Sequence, residues 1–442
     1  MTTNLPAPLA RYAARLHDSI GDRHHLASPL GAWLLLALGA SADDPDGGPD
    51  HLADALGTDR ATAARAAAAL LDAPHPLVSS ATAGWHRPDA ASPALAAWLA
   101  SLPRATATGP LPDQAGLDAW AREHSAGLIE RFPLTVSPRV VLALASALAT
   151  RISWAVPFDV APAAALGPQS PWAGRLTRVL RTPSGGHRAW IAATPEAGDV
   201  AVHVAEARPA PTAAAPDGRG TAAGRGDTDV SRGRVGQDAD AAGAAGAGLS
   251  VVSVAAAPEV APQRVLAAAY RIAADADASA PAGRRSLFDL PLGATPLWTL
   301  REESIRTHAR DGREERHAAT LPCWSARDEH DLGGPGLGFA ALAGVLAPLI
   351  GDAEMQARQV VAARYTRYGF EAAAVTGAFA LTSLPPQGVA RVAELRFGHP
   401  YAVVAVATDR RGGPWHRVPV FSGWVAEPDD LPEADLADPP EG

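Results

Sequence analysis

A run of small residues near the C-terminus constrains the fold more than any other part of the chain. Residues 369–377 read Gly-Phe-Glu-Ala-Ala-Ala-Val-Thr-Gly; they follow a strand-like segment, 360–368, and precede a loop rich in Pro, Gly and Ser. A segment that joins a sheet points every second side chain to the same face. One such face is made up of Phe370, Ala372, Ala374, Thr376, Ala378 and Ala380. All but the phenylalanine are small, so the run is suited to enter a packed sheet. An ordinary Ala-rich helix or loop would have the same composition.

Further segments along nearly the whole chain resemble landmarks of one family, in the order in which that family has them. They are 25–32 with 38–40, 117–120 with 125–129, 140–158, 321–325 with 331–332, 397–401 and 420–428. Together with 369–377 they resemble the serpins, a family of serine protease inhibitors, and the chain looks like a divergent, bacterial-type member. The resemblance implies an α+β fold with about nine helices, three β-sheets and an exposed reactive-centre loop.

The resemblance also implies a mechanism of suicide trapping. A serine protease would attack the loop and form an acyl-enzyme, and the cut loop would insert into the main sheet before hydrolysis. The hinge of that movement would be Gly369, Phe370, Glu371, Ala372, Ala373, Ala374, Val375 and Thr376. The residues where the main sheet opens would be Ser28, Pro29, Ser146, Trp154 and Gln359.

Two counts give different positions for the bond that the protease would cut. Counting forward from Gly369 at the family's spacing gives Ser383–Leu384, whereas counting back from Phe397 gives Val389–Ala390. We favour Ser383–Leu384, because an inserting strand must keep the hinge spacing. Arg391 is the only basic residue between Gly369 and Leu395, so the expected targets are elastase-, chymotrypsin- or subtilisin-like proteases rather than trypsin.

Several positions depart from the pattern of inhibitory serpins. Phe370 stands where they place Thr or Ser, and threading a benzyl group into a sheet costs about 1–3 kcal/mol. Arg367 and Tyr368 replace an acidic pair, Ser146 replaces Asn, and Gln359 replaces His. These changes favour slower or incomplete insertion. A non-inhibitory serpin-fold protein, either a binding or carrier module or a plain protease substrate, therefore remains the second interpretation.

The chain is expected to form a single domain, residues 1–430, with one large insertion. Residues 207–248 consist mainly of Ala, Gly, Pro, Asp and Arg, and they carry too little apolar surface to offset the entropy of ordering. We therefore predict a disordered surface insertion there. The reactive-centre loop is assigned to 369–396, and 431–442 is expected to be a frayed acidic tail.

The composition limits the partners. The chain has 38 basic residues, all arginine, and 47 acidic residues, a net charge of −9 without a basic stripe, which argues against nucleic acid. No apolar run reaches the ~18 residues of a membrane span. The N-terminus lacks a basic start followed by an apolar core, so a cytoplasmic, monomeric protein is expected, although many serpins act outside cells. Because the histidines are scattered and phosphate-binding glycine motifs are missing, we expect no cofactor and no metal.

An enzyme is the third interpretation, and it depends on the single cysteine, Cys323, acting with His330 or His399. A cysteine nucleophile needs a base within hydrogen-bond reach and donors for the oxyanion. Cys323 instead lies in an apolar, strand-like Leu-Pro-Cys-Trp context, which is typical of an inert, buried thiol. We therefore predict that the protein is not an enzyme.

Overall fold

The computed structural model describes residues 5–42, 50–90, 92–125, 127–137, 140–150, 152–209, 246–350, 356–369 and 386–436. Within these ranges the chain forms eight α-helices and four hydrogen-bonded sheets. The predicted α+β class is confirmed. None of the described helices combines the length and the apolar character that crossing a membrane needs.

Most of the helices occur in the first third of the chain. They are α1 (Pro6–Ile20), α2 (Pro29–Gly39), α3 (His51–Leu56), α4 (Arg60–Leu71), α5 (Pro93–Ser101), α6 (Gln114–His124), α7 (Pro262–Ala273) and α8 (Phe339–Ile350). Side-chain oxygens cap several of their N-termini; Ser28, for example, accepts a hydrogen bond from the Gly31 amide at the start of α2. Short 3₁₀ turns occur at Pro88–Ala90, Ala163–Leu166, Leu287–Asp289 and Glu433–Asp435.

Helix α6 is shorter than its sequence pattern predicts. Helical spacing continues from Gln114 to Phe132, yet the helix ends at His124. The chain then turns, because Gly127 adopts a positive φ of 82° and the Ser125 hydroxyl accepts a hydrogen bond from the Ile129 amide at 2.8 Å. Local side-chain bonding of this kind competes with a continued helix.

The first two sheets are large and mainly antiparallel. The first has the order β1 (His25–Ala27), β18 (Val418–Val425), β17 (Tyr401–Asp409), β10 (Ala247–Ala255), β9 (Gly198–Pro209) and β5 (Ile152–Trp154), and β8 (His187–Thr194) also pairs with β9. The second has the order β11 (Gly293–Ala294), β12 (Trp298–Arg306), β16 (Gln387–Arg396), β13 (Arg313–Leu321), β7 (Arg178–Arg181) and β6 (Asp159–Pro162). The β-branched alternation of 249–255, 401–408 and 417–421 predicts strands, and β10, β17 and β18 occur at these positions.

The other two sheets both contact the same buried helix, α2. One contains β3 (Thr106–Pro110), β2 (Ser79–His86) and β4 (Leu142–Ala149), and the other contains β14 (Trp324–Asp331) and β15 (Arg358–Tyr365). Side chains from β4 and from β15 both contact the start of α2. We call these two sheets the half-sheets, because together they account for the third sheet of the predicted fold.

Helix α2 forms the centre of the core. Every one of its residues is buried, so it is apolar all round, as a helix inside a large domain is expected to be. Its Trp33 indole donates a hydrogen bond to the Leu56 carbonyl of α3 at 3.0 Å. The helix is thus a packing partner shared by both half-sheets.

Three predicted boundaries need correction. Residues 207–209 and 247–248 of the predicted insertion belong to β9 and β10, and 210–245 lie outside the described residues. Residues 387–396 of the predicted loop form β16. The C-terminal segment is not frayed at its start, because Leu431 is buried and the Asp430 carboxylate accepts hydrogen bonds from the Thr177 and Arg178 amides at 3.0 Å.

Candidate functional site

A cleft separates the two half-sheets. Strands β4 and β15 both lead away from α2. Ser146 and Gln359 lie at the α2 end, and beyond the two strands Ser153 and Gly369 form an isolated antiparallel β-bridge at the other end. In the described part of the chain, β4 forms a ladder only with β2, and β15 only with β14. Each strand therefore turns an open backbone edge toward the other. Such an edge is a template for an additional strand.

The cleft contains an apolar cavity of about 490 Å³. Its wall is formed by side chains from α2, α6, α8, the segment after α6 and the two facing strands, including Leu35, Trp120, Phe132, Leu144, Phe339 and Leu346. The cleft is partly open, so its apolar lining is exposed in part to solvent. Small apolar side chains that filled it would bury this surface and thereby stabilise the molecule.

At the base of the cleft, polar side chains tie each half-sheet to α2 separately. The Ser28 amide donates to Gln359 Oε1 at 2.9 Å, and Gln359 Nε2 donates to the Ser28 carbonyl at 2.8 Å. Across the cleft, Ser146 Oγ donates to the Gly31 carbonyl at 2.9 Å. Pro29 occupies the first turn of α2, where its missing N–H has no cost. Ser146 and Gln359 thus use the helix backbone as their partner.

At the opposite end, the chain around Trp154 closes the cleft. The Trp154 amide donates to the Tyr368 carbonyl at 3.1 Å, and its indole Nε1 donates to the Thr366 carbonyl at 2.8 Å. The Trp154 ring also packs against Tyr365, with 4.8 Å between ring centroids, and edge-on against Phe158 at 6.0 Å. These contacts join the segment that follows β15 to the segment that follows β4.

The glycine at the start of the predicted hinge is required by geometry. Gly369 adopts a φ of +84°, which side chains disfavour, and a Cβ atom there would lie 2.7 Å from the Ile152 carbonyl oxygen. Its carbonyl also accepts a hydrogen bond from the Thr366 hydroxyl at 3.0 Å. The chain therefore turns sharply at the point where it leaves the half-sheet.

Arg367 has a structural role beside this turn. Its Nε donates to the Phe158 carbonyl at 3.0 Å and its Nη1 to the Asp435 carbonyl at 3.0 Å, while the guanidinium lies 4.9 Å from the Tyr368 ring centroid. The basic side chain thus holds the C-terminal segment against the closed end of the cleft.

A buried histidine pair lies close to the same end. His187 Nε2 is 2.7 Å from the Val156 carbonyl and its Nδ1 is 3.1 Å from His203 Nε2. Burial lowers the pKa of both imidazoles, and for His187 the hydrogen bond to Val156 partly opposes the effect. Two neutral imidazoles therefore pack beneath Phe158, 4.3 and 5.5 Å from its ring centroid.

Comparison with solved structures identifies this arrangement. Thyroxine-binding globulin in complex with thyroxine is 13% identical with a TM-score of 0.55, covering 96% of this chain and 99% of its own. The thermophilic serpin Tengpin in its native state is 12% identical with a TM-score of 0.55, covering 96% and 94%. AtSerpin1 of Arabidopsis is 14% identical with a TM-score of 0.52, covering 96% and 98%. The chain has the serpin fold. No protein-family model and no curated protein matches the sequence.

Within the serpin fold, the five predicted sheet-opening residues lie at the two ends of the cleft. Ser28, Pro29, Ser146 and Gln359 meet at its base, and Trp154 lies at its closed end. Of the predicted hinge, Gly369 is described. The other hinge residues, Phe370 to Thr376, and the predicted bond Ser383–Leu384 lie outside the described residues.

The alternative bond Val389–Ala390 lies inside β16, which pairs with β12 on one side and β13 on the other. A protease needs an extended, accessible backbone, and this backbone is already hydrogen-bonded on both sides. The Arg391 side chain is also bound to the protein: its Nη1 donates hydrogen bonds to the Leu287 and Leu290 carbonyls at 2.8 and 3.0 Å. The Val389–Ala390 bond is thus not presented as an accessible loop in this structure.

The proposed cysteine nucleophile is not arranged for catalysis. Cys323 is buried, and burial raises the pKa of its thiol, helped by nearby aspartates such as Asp429. His330 Nε2 lies 2.6 Å from the Leu26 carbonyl, and His399 Nε2 lies 2.7 Å from the Ala256 carbonyl. Both candidate bases are therefore occupied by backbone. The described residues also contain no group of three or more metal-ligating side chains that could hold a metal ion.

Sequence reasoning missed strand β12 and its relation to β16. The segment 298–306 alternates apolar and polar side chains at its start, which is a strand signal. That signal does not identify a partner, and the partner is β16, which lies within the residues predicted as the loop.

Proposed function

We propose that this serpin-fold protein inhibits serine proteases by suicide trapping. One observation carries the proposal: β4 and β15 both lead away from α2 and face each other with open edges across an apolar cavity. A segment that leaves Gly369 and turns back toward α2 runs antiparallel to both strands. It can therefore form hydrogen bonds with both edges at once, which is the more favourable ladder geometry.

Chain length supports full insertion after cleavage at Ser383–Leu384. The new arm, 370–383, has about fourteen residues and spans ~46 Å as a strand. The cleft from Gly369 to Gln359 corresponds to about ten residues, or ~33 Å. The cut arm is thus long enough to reach the base of the cleft, and its small same-face residues suit the space above α2.

The trapping steps follow from this geometry. The protease serine attacks the carbonyl of Ser383 and the bond to Leu384 breaks, leaving the arm esterified to the protease. Entry of the arm into the cleft fills the cavity and pairs two open strand edges. That stabilisation carries the attached protease toward the α2 end before water hydrolyses the ester. The preferred targets are elastase-, chymotrypsin- or subtilisin-like enzymes.

A non-inhibitory role is the second candidate, and Phe370 favours it. The first same-face residue of the arm is a benzyl group, which must pass the closed end of the cleft next to Trp154. In this alternative the loop is a plain protease substrate, and the fold serves as a binding or carrier protein. Thyroxine-binding globulin, one of the structural neighbours, is solved in complex with thyroxine, so the fold can hold a small ligand.

The deciding experiment is incubation with elastase, chymotrypsin, subtilisin and trypsin, followed by denaturing gels and mass spectrometry of the released C-terminal peptide. We expect a covalent 1:1 complex with at least one of the first three, and a peptide that begins at Leu384. Clean cleavage without a complex, and without a rise in melting temperature, would support the carrier alternative.

A matched pair of variants tests insertion itself. Thr376→Arg places a long cation on the inward-facing set, whereas Val375→Arg places the same group on the outward-facing set. Only Thr376→Arg is expected to convert the inhibitor into a substrate, because a buried unpaired charge opposes entry into the sheet. Equal effects of both changes would refute the alternation on which the hinge assignment rests. Phe370→Thr is expected to raise trapping efficiency.

A further inference from the structure

Strand β16 lies between two strands that follow each other in the chain. β12 pairs with it antiparallel from Trp298–Leu395 to Arg306–Gln387, and β13 pairs with it parallel from Arg313–Val389 to Thr320–Arg396. The described strands place β16 as the third of six in this sheet. Removing β12 and its short partner β11 from this order would leave β16 as an edge strand.

The connection from β12 to β13 passes directly over the start of β16. The Thr307 amide donates to the Pro386 carbonyl at 3.0 Å, and the Val389 amide donates to the Gly312 carbonyl at 2.8 Å. The contact is close, because a Cβ atom on Gly388 would lie 2.5 Å from the Gly312 oxygen. The chain is thus held at the point where residues 370–385 end.

Side chains strengthen the same attachment. Arg391 is largely buried, donates to the carbonyls of Leu287 and Leu290, and forms an ion pair with Glu302 at 3.2 Å. Glu394 pairs with Arg301 of β12 at 2.8 Å. The segment 287–306 therefore holds β16 by its backbone and by these side chains.

Because residues 370–385 are few, the attachment of β16 limits how far they can enter the cleft. While the bond is intact, residues 370–385 connect Gly369 to Pro386, and each residue that enters the cleft needs another to return. Even if the two anchors coincided, only about half of the roughly sixteen residues could enter, ~26 Å of strand. The base of the cleft is ~33 Å away. An intact segment therefore stops short of Gln359 as long as β16 stays in its sheet.

We infer that β12 acts as a clamp on β16, which makes full insertion of the segment after Gly369 dependent on cleavage. The inference rests on the proposed function. In the uncut protein, β16 could follow the segment only by breaking two ladders, one on each side. Cleavage at Ser383–Leu384 leaves β16 in place and frees the arm.

Proline substitutions in β12 provide the test. The Thr307 amide donates to the Pro386 carbonyl, and the Arg396 amide donates to the Leu297 carbonyl, so both pairs are hydrogen-bonded pairs of the β12–β16 ladder. Hydrogen-bonded and non-hydrogen-bonded pairs alternate along such a ladder. The Glu303 amide therefore points toward β16, and the Ser304 amide points toward the open edge of β12. Glu303→Pro removes a ladder bond and pushes against β16. Ser304→Pro is the matched control, because proline is tolerated where the amide faces solvent.

Each uncut protein is incubated at several temperatures below its melting point, and samples are assayed for melting temperature, intact mass and cleavage by subtilisin in the segment after Gly369. We expect Glu303→Pro to convert, about tenfold or more faster than wild type, to an intact form that melts higher and resists subtilisin. Ser304→Pro is expected to behave like wild type. Wild-type conversion as fast as that of Glu303→Pro would overturn the clamp.

A crosslink tests the clamp in the opposite direction and covers the case in which Glu303→Pro fails to fold. Ser304 and Val389 are directly opposite in a pair without mutual hydrogen bonds, where cysteine side chains come close enough to join. Oxidised Ser304→Cys/Val389→Cys protein should convert more slowly than its reduced form on heating, yet still gain melting temperature after cleavage. If the crosslink has no effect on conversion of the uncut protein, the clamp is refuted.

The failures of the two proposals are distinguishable. If cleaved wild-type protein gains no melting temperature, insertion itself fails and both proposals fall. If cleaved protein gains stability but uncut Glu303→Pro and wild type convert at the same rate, only the clamp falls.

Discussion

Replacing Gln359 by leucine tests whether the base of the cleft is held as the structure indicates. Leucine has a similar size but offers neither donor nor acceptor, so the buried Ser28 amide loses its 2.9 Å partner. An unsatisfied buried amide costs about 1–3 kcal/mol. The Ser28 carbonyl loses less, about 0.5–1.5 kcal/mol, because it still accepts a hydrogen bond from the Ala32 amide at 3.2 Å.

After allowing for the apolar gain of leucine, we expect a loss of about 2–3 kcal/mol. If this contact is absent from the transition state for unfolding, unfolding in urea accelerates roughly 30- to 150-fold. Tryptophan fluorescence after rapid mixing measures that rate. Under the proposed trapping function a kinetic barrier holds the native state, so an unfolding rate is the appropriate observable.

Gln356→Leu is the matched control, since the same change is made at an exposed position on the approach to β15. We expect the control to change stability by less than about 0.5 kcal/mol. Equal acceleration in both variants would mean that leucine disturbs β15 generally. An unchanged rate in Gln359→Leu would refute the assignment of the Ser28–Gln359 contact as a stabilising tie.

Buried histidines, the buried Cys323 and the largely buried Arg391 each support one further prediction. Burial, with neighbouring imidazoles, lowers the pKa of His17 to about 3 and of His25 to about 4; both are neutral when folded and take up protons on unfolding. Stability is therefore complete above the unfolded pKa of ~6.5 and falls as pH drops toward 4, by up to about 2 kcal/mol per histidine at pH 5. Urea unfolding across pH 5–8 should show this slope, and His17→Gln should reduce it. Cys323 should resist a thiol reagent in the native protein and react on unfolding; prompt native reaction would contradict its burial. Trypsin should leave Arg391 uncut in the native protein, and a tryptic fragment ending there without prior unfolding would contradict the position of β16.

The sequence predicted which residues come together at the cleft better than it predicted the pairing of the strands around them. Ser28, Ser146 and Gln359 are distant in the chain, yet they meet at one end of α2 as the family resemblance implied. Gly369 also stands where a hinge was predicted, and its positive φ gives the physical reason. These residues could be found because each lies in a segment whose order along the chain resembles that of the family.

The sequence could not predict the pairing of β12 with β16. A strand signal depends on local alternation, whereas the choice of partner depends on contacts between segments far apart in the chain. The charged pairs Arg301–Glu303 and Arg316–Glu314 are also typical of an exposed hairpin, which does not indicate that a third strand lies between β12 and β13. The start of the C-terminal tail was predicted wrongly for a similar reason. Its composition is acidic and Pro-rich, but Leu431 is buried and the preceding Asp430 carboxylate accepts hydrogen bonds from backbone amides.

The contacts around the cleft place the barrier to insertion at its closed end. At the base, Ser146 and Gln359 each bind α2, so separating the half-sheets there breaks no bond between these two side chains. At the other end, an entering segment must part the Trp154 amide and indole from the carbonyls of Tyr368 and Thr366. This is also where Phe370, the first same-face residue after Gly369, would arrive. In the proposed trapping mechanism, the opening near Trp154 sets the rate, and the release of β16 or the cutting of the loop sets the extent of insertion.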